Sequence, residues 1–165
     1  MSMNCDKVHE VLNSLPRYYF PFSEKELYKN GIYILFEKGE YAHKVDRIVR
    51  IGTHTGNNQL VSRIKQHFLN ENKDRSIFRK NIGRCMLNKE KDDYLKIWEI
   101  DFTTKEAKIK YGHLIDKKKQ SEIESKVSKY LRENFSFAII EINNKEERLF
   151  WESKLISTIS KCCVC

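Results

Sequence analysis

Residues 31–52, GIYILFEKGEYAHKVDRIVRIG, decide how this chain folds. In 31–38, β-branched and aromatic residues alternate, so that isoleucines and a phenylalanine share one face while Tyr33 points to the other. The stretch RIVRIG at 47–52 has the same strand-like pattern. Polar residues at 39–46 separate the two stretches and are typical of a hairpin loop. The sequence therefore predicts two adjacent strands joined by this loop.

Apolar residues at helical spacing lie on both sides of the hairpin. They predict helices at 3–14, 58–69, 76–87, 117–134 and 145–161. Runs of β-branched and aromatic residues predict further strands at 94–102 and 135–142. This order indicates an α+β fold, with a small mixed or antiparallel sheet flanked by helices. We expect a single domain over residues 1–165, in which 1–30 form an N-terminal helical extension.

The charge of the chain favours a polyanionic partner. Lys and Arg outnumber Asp and Glu by 31 to 23, which gives a formal charge of +8 and a pI near 9.2. Nucleic acid is the commonest partner of such a surface, although a basic protein of unrelated function has the same composition. The sequence has no apolar run of the roughly 20 residues needed to cross a bilayer and no signal-peptide pattern. It therefore predicts a cytoplasmic protein that does not bind membranes.

The five cysteines do not form the pattern of a disulfide framework, because their number is odd. Cys162 and Cys165 have the C-x-x-C spacing of half a zinc site, but no second pair of ligands is visible in the sequence. The alternative is a helix end with small buried or free thiols.

Glu152 is the least expected residue of the closing helix. At 100° per residue it lies in the middle of an apolar stripe formed by Leu149, Leu155, Ile156 and Ile159. An ionised carboxylate on such a face needs a metal ion, a basic neighbour or a raised pKa. A core salt bridge or an edge position is the alternative to a functional role.

Basic residues are concentrated between 60 and 91, where nine Lys or Arg face three Asp or Glu. Arg63 and His67 are four residues apart on the predicted helix and so share one face, where they can jointly meet an anion. Such a segment suits a surface that follows the backbone of a nucleic acid, although solvated helix faces have the same appearance. The candidates for DNA contacts are Lys65, Arg75, Arg79, Lys80 and Arg84.

Together these features resemble the GIY-YIG endonuclease family. Gly31-Ile32-Tyr33 matches the first signature tripeptide, and Arg50-Ile51-Gly52 takes the place of the second, with arginine where the family usually has tyrosine. Arg63 matches the arginine of the following helix, and His67 matches a histidine that some restriction-enzyme members carry one turn later. Glu152 falls where the family has its metal-binding glutamate.

The resemblance implies an α/β sandwich that hydrolyses the phosphodiester backbone of DNA, expected to be double-stranded, with water as the nucleophile. Glu152 would bind one Mg²⁺ or Mn²⁺, and Tyr33 would be the general base. A phenol is a weak base near neutral pH, so the catalytic Arg50 is expected beside it. Arg63 would neutralise charge on the transition state, and His67 would orient the tyrosine or water, or share a proton with it.

Two other functions fit the same residues. Because Arg50 replaces the second tyrosine, the chain is alternatively a module of the same fold that binds nucleic acid without cutting it. The third possibility is a protein-interaction domain in which Glu152 forms an ordinary core salt bridge. Oligomeric state is left open by the sequence.

Overall fold

A computed structural model describes residues 4–165, so the first residues of the predicted helix at 3–14 and of the 1–30 extension lie outside the described part. The described chain forms two compact units. The first unit comprises the described residues up to Ile64 together with Arg132–Cys165. The second unit is Lys65–Leu131.

The first unit contains a four-stranded antiparallel sheet. Its strands are β1 (Tyr18–Tyr19), β2 (Gly31–Ala42), β3 (Val45–Gly52) and β4 (Phe135–Glu141), in the order β1-β4-β2-β3. Every neighbouring pair is antiparallel. The α+β class is confirmed, and of the two sheet types expected the antiparallel one is observed.

Two helices, α1 (Cys5–Asn13) and α7 (Lys145–Ser160), cover one face of this sheet. The alternation predicted for the central strand places its isoleucines there, where they are fully buried. They pack with Val8 and Leu12 of α1 and Leu155 of α7 in one apolar cluster. Asn144 begins α7 by accepting a hydrogen bond from the Glu147 amide at 2.9 Å. The core thus fixes α7, the helix that carries Glu152.

The hairpin between β2 and β3 is tighter than the sequence predicts. The segment 39–46, expected to be a loop, is mostly strand, and only His43 and Lys44 form the turn. Both have positive φ, 53° and 64°, which is the backbone of a two-residue hairpin turn that usually favours Asn and Gly. The expected loop is wrong because neither turn residue gives the usual sequence signal.

The second unit is helical. It contains part of α2 (Leu60–Phe68) and of α6 (Lys117–Asn134), together with α3 (Ile77–Glu90), α4 (Leu95–Trp98) and α5 (Lys105–Tyr111). Short 3₁₀ turns occur at Glu24–Glu26 in the first unit, and at Lys73–Arg75 and Gly112–Leu114 in the second. No helix within residues 4–165 is both long enough and apolar enough to cross a membrane.

The strand predicted at 94–102 is wrong, because this segment contains α4 followed by irregular backbone. Trp98 decides its structure. The indole is fully buried, donates its Nε1–H to the carbonyl of Lys80 at 2.9 Å, and packs on Gly83. A β-carbon on Gly83 would lie 2.5 Å from an indole carbon, so the glycine makes room for the ring. Packing within this unit therefore overrides the β propensity of LKIWEIDF.

Candidate active site

Tyr33 lies directly over Gly52, at the end of β3. The two residues are opposite each other in the register of β2 and β3, so their Cα substituents share a face of the sheet. The tyrosine is 1% exposed. A β-carbon on Gly52 would lie 2.5 Å from the ring carbon that bears the hydroxyl, and closer still to the hydroxyl oxygen. Only glycine at this position leaves the Tyr33 ring where it is.

Glu152 contacts Thr53, the residue that follows Gly52 at the end of β3. Its Oε1 accepts a hydrogen bond from the Thr53 amide at 2.8 Å. The side chain is half-buried, and this burial raises the pKa of Glu152, while the Thr53 hydrogen bond and the charges of Arg50 and Arg63 oppose the rise. Tyr33 and Glu152, which are far apart in the sequence, therefore contact two consecutive residues, Gly52 and Thr53.

Both predicted arginines act on this carboxylate. Arg50 is opposite Leu35 in the register, so its side chain lies on the same sheet face as those of Leu35 and Tyr33. Arg63 is on α2, and its positive charge also favours the ionised form of Glu152. Both arginine side chains are half-buried. The end of β3 thus combines a phenol, a carboxylate and two cations.

The loop after β3 is held by residues that the sequence analysis did not identify. The Thr53 hydroxyl donates to the Gly31 carbonyl at 2.7 Å. Nε2 of the buried His54 accepts the Gly31 amide at 3.4 Å, and its Nδ1 is 2.7 Å from the Gly56 carbonyl. Arg148 is buried and donates to the same carbonyl at 3.3 Å. Its position one helical turn before Glu152 was the available sequence signal.

His67 lies in the second unit and is fully buried. Its Nδ1 is 2.7 Å from the Ser76 hydroxyl, and its ring meets Phe78 edge-on at 5.6 Å between centroids. It is therefore part of the interior of this unit. A proton-transfer role for His67 stays a prediction from the family resemblance.

The residues expected to contact DNA do not all lie at the surface. Arg79 is 0% exposed, and its guanidinium binds the Glu124 carboxylate at 2.7 and 3.1 Å, the Ser128 hydroxyl and the His67 carbonyl. The structure therefore assigns Arg79 to the core, because a buried cation needs such partners. Arg84 is exposed and forms two hydrogen bonds with Glu99, at 2.5 and 2.7 Å.

Four of the five residues expected to contact DNA are at least partly accessible, and Arg84 is one of them. Arg75 is exposed, and Lys65 and Lys80 are half-buried. Lys80 donates to the Glu99 carbonyl at 2.6 Å. A residue counted in the basic segment, Lys73, is buried and donates to the Ile100 carbonyl at 2.7 Å. The exposed positive charge of the second unit is therefore smaller than the sequence count indicates.

The donor set at the end of β3 suits a hard divalent cation. Glu152 offers an anionic oxygen, and Mg²⁺ commonly binds one or two carboxylates while it keeps several waters or takes substrate phosphate oxygens. The two arginines oppose a cation in the absence of a phosphate.

Comparison with known proteins adds one finding. The family model of the GIY-YIG domain matches residues 13–164, a range that covers all of the second unit and most of the first. No curated protein and no solved structure matches the chain.

Proposed function

This chain belongs to the GIY-YIG domain family, a family of nucleases, and from this premise we propose that it is a DNA endonuclease dependent on Mg²⁺ or Mn²⁺. Water is the nucleophile, and the substrate is double-stranded DNA. The observation that carries the proposal is that Tyr33 packs on Gly52 and Glu152 accepts the amide of the next residue, Thr53, while the charges of Arg50 and Arg63 act on the carboxylate.

Tyr33 is the general base in this proposal. Its hydroxyl is held over Gly52, and Arg50 is its diagonal neighbour across the strand pair. In this proposal the Tyr33 oxygen takes the proton from the attacking water, and Arg50 adds a positive charge on the same face of the sheet. Arg50 stands at the place of the second signature tyrosine, and its proposed part is to activate Tyr33.

Glu152 holds the divalent ion, which when bound supplies Lewis-acid stabilisation of the scissile phosphate and of the leaving oxygen. The Thr53 amide fixes one carboxylate oxygen, so the side chain is oriented before the substrate arrives. Its position at the N-terminal half of α7 is set by the Asn144 cap and by Leu155 in the core. A preorganised carboxylate of this kind loses little energy to reorganisation during the reaction.

Arg63 binds the phosphate that undergoes attack. A guanidinium stays charged at any accessible pH and can contact two phosphate oxygens at once. His67 lies one turn further along α2, and its proposed part is to move or orient a proton. Lys65, Arg75, Lys80 and Arg84 are the proposed contacts to the DNA backbone.

The test compares Glu152→Gln and Tyr33→Phe with wild type in a plasmid-cleavage assay containing Mg²⁺ or Mn²⁺. The glutamine side chain keeps an oxygen that can accept the Thr53 hydrogen bond but removes the charge, and Glu146→Gln changes an exposed acid of the same helix as a matched control. We expect Tyr33→Phe to lower the rate by about 10²- to 10⁴-fold. Glu152→Gln should abolish metal-dependent cutting, and Glu146→Gln should behave as wild type.

Equal cleavage by wild type and Glu152→Gln, with the same metal dependence, is incompatible with the assignment. If Glu152 were instead an ordinary core salt-bridge residue, Glu152→Gln would lower the denaturation midpoint, and neither protein would cut.

The replacement of the second tyrosine by Arg50 favours one other function, a domain that binds DNA without hydrolysing it. Such a domain would show binding that weakens steeply as salt rises, because phosphate contacts release counterions. It would produce no cut ends with any divalent metal. The wild-type plasmid assay separates the two proposals, since an active nuclease produces cut ends with Mg²⁺ or Mn²⁺ and a pure binding module does not.

A further inference from the structure

Three cysteines and a histidine lie close together in the first unit. They are at the turn end of the β2–β3 hairpin, whereas Tyr33 is near the other end. We propose that Cys5, His43, Cys162 and Cys165 bind a structural zinc ion, in a site separate from the proposed nuclease centre. Cys5 is the first residue of α1, His43 is in the β2–β3 turn, and the other two cysteines follow α7. We call these four residues the Cys-His cluster.

Three of the six separations between the ligand atoms are close to those around one tetrahedral ion. The Cys5 and Cys165 Sγ atoms are 3.4 Å apart, and His43 Nε2 is 3.3 Å from Cys165 Sγ and 3.4 Å from Cys162 Sγ. Zn–S and Zn–N bonds of the usual length give tetrahedral edges of about 3.8 Å between sulfurs and about 3.6 Å between sulfur and nitrogen. The observed separations are a few tenths of an ångström shorter, and the sulfurs are much further apart than the roughly 2.05 Å of a disulfide.

His43 is oriented as a metal-binding histidine. Its Nδ1 contacts the Asp6 carboxylate, so Nδ1 carries the proton and Nε2 presents its lone pair to the thiols. A carboxylate on the second ring nitrogen is the usual support of a zinc-bound imidazole. The His43 side chain is 8% exposed, and its backbone has the positive φ that non-glycine residues rarely adopt. The tight turn therefore aims this ring at the cysteines.

His9 is also close, since it offers a ring nitrogen within 4.8 Å of ligand atoms of Cys5, His43 and Cys165. Its Nδ1 is 3.6 Å from the Cys5 Sγ and its Nε2 is 3.8 Å from the Cys165 Sγ, but both nitrogens also have shorter contacts with the backbone. Nδ1 is 3.2 Å from the Cys5 carbonyl, which can only accept, and Nε2 accepts the Ile48 amide at 3.4 Å. With its lone pair committed to this amide, His9 is assigned to the surroundings of the ion rather than to its ligands.

The ligand types select zinc and define its role. Thiolates and imidazole favour Zn²⁺ over Mg²⁺, which prefers oxygen. Four protein ligands leave no open position, so the site is structural rather than catalytic. The ion would join the start of α1, the hairpin turn and the segment after α7. Because these elements are distant from one another in the sequence, metal binding would contribute directly to folding.

The test measures zinc in protein purified without added metal or chelator, by elemental analysis and native mass spectrometry. We expect about one zinc per wild-type chain, and less than about a tenth of that in Cys162→Ser. Cys163→Ser is the matched control, because Cys163 is exposed and adjacent to Cys162 but outside the cluster. It should keep full zinc content. His43→Cys should retain zinc, whereas His43→Ala should lose it.

Cobalt gives a second readout that does not depend on the variants folding. Wild-type protein reloaded with Co²⁺ should show the strong visible bands of tetrahedral coordination and thiolate charge transfer. Chelation of the zinc should lower the thermal midpoint of wild type and of Glu152→Gln alike, which separates this proposal from the nuclease assignment. Wild-type protein that contains no zinc, a Cys5–Cys165 disulfide in its place, or zinc content unchanged in Cys162→Ser would each overturn the proposal.

Discussion

Replacing Gly52 by alanine should displace Tyr33 and so test the geometry of the candidate active site directly. The added β-carbon would lie 2.5 Å from the ring carbon bearing the hydroxyl, whereas ordinary contacts begin near 3.4 Å. The ring must therefore move by about 1 Å. Because it is 1% exposed, it cannot turn away without disturbing its neighbours, and we expect a cost of about 1–3 kcal/mol in the free energy of unfolding.

The same displacement should lower the rate of DNA cleavage by roughly 10²-fold, since misplacing a reacting group by about 1 Å has effects of that size. Urea denaturation measures the first effect and plasmid nicking the second. Gly112→Ala is the control, because a β-carbon at Gly112 meets nothing within 4 Å and should change neither. A Gly52→Ala protein as stable and as active as wild type would refute the proposed placement of Tyr33 over the strand end.

Two further predictions concern charges inside the fold. In a urea titration, Arg79→Leu should lower the free energy of unfolding by about 3–5 kcal/mol, because it leaves Glu124 buried without its cation. Arg84→Leu is the control, because it removes an exposed ion pair and should change the free energy of unfolding by less than about 1 kcal/mol. Burial lowers the pKa of His54, so below about pH 6.5 the unfolded chain takes up a proton that the folded state resists, and stability should fall as the solution becomes more acid. His54→Gln should reduce this acid sensitivity in denaturation midpoints compared at about pH 7.5 and pH 5.5, and an unchanged slope would contradict the prediction.

The regular elements of this fold could largely be predicted from local sequence pattern. The helix expected at 117–134 has those bounds in the structure, and the strand expected at 31–38 is confirmed, although it continues to Ala42. Both have many apolar residues at one clear period, and burial of the resulting face reinforces the local preference. Segment 94–102 has strand-like composition as well, but the burial of Trp98 against Gly83 determines its structure.

Side-chain environments were less predictable, because they depend on contacts distant in the sequence. Arg79 was interpreted as a surface cation among other basic residues, but its partner Glu124 is 45 residues away. Cys162 and Cys165 have the spacing of half a zinc site, with free thiols at a helix end as the alternative, and no sequence pattern joins them with Cys5 and His43. Only the packing of α1 and the two-residue turn bring these four side chains together.

The β2–β3 hairpin has Tyr33 near one end and His43 at the other. Nine residues of strand lie between them, a span of about 30 Å. Oxidants that attack thiols would therefore damage the Cys-His cluster, which is remote from the proposed nuclease centre. Such oxidation should shorten the time for which the protein stays folded. The turnover rate of the molecules that are still folded should not change.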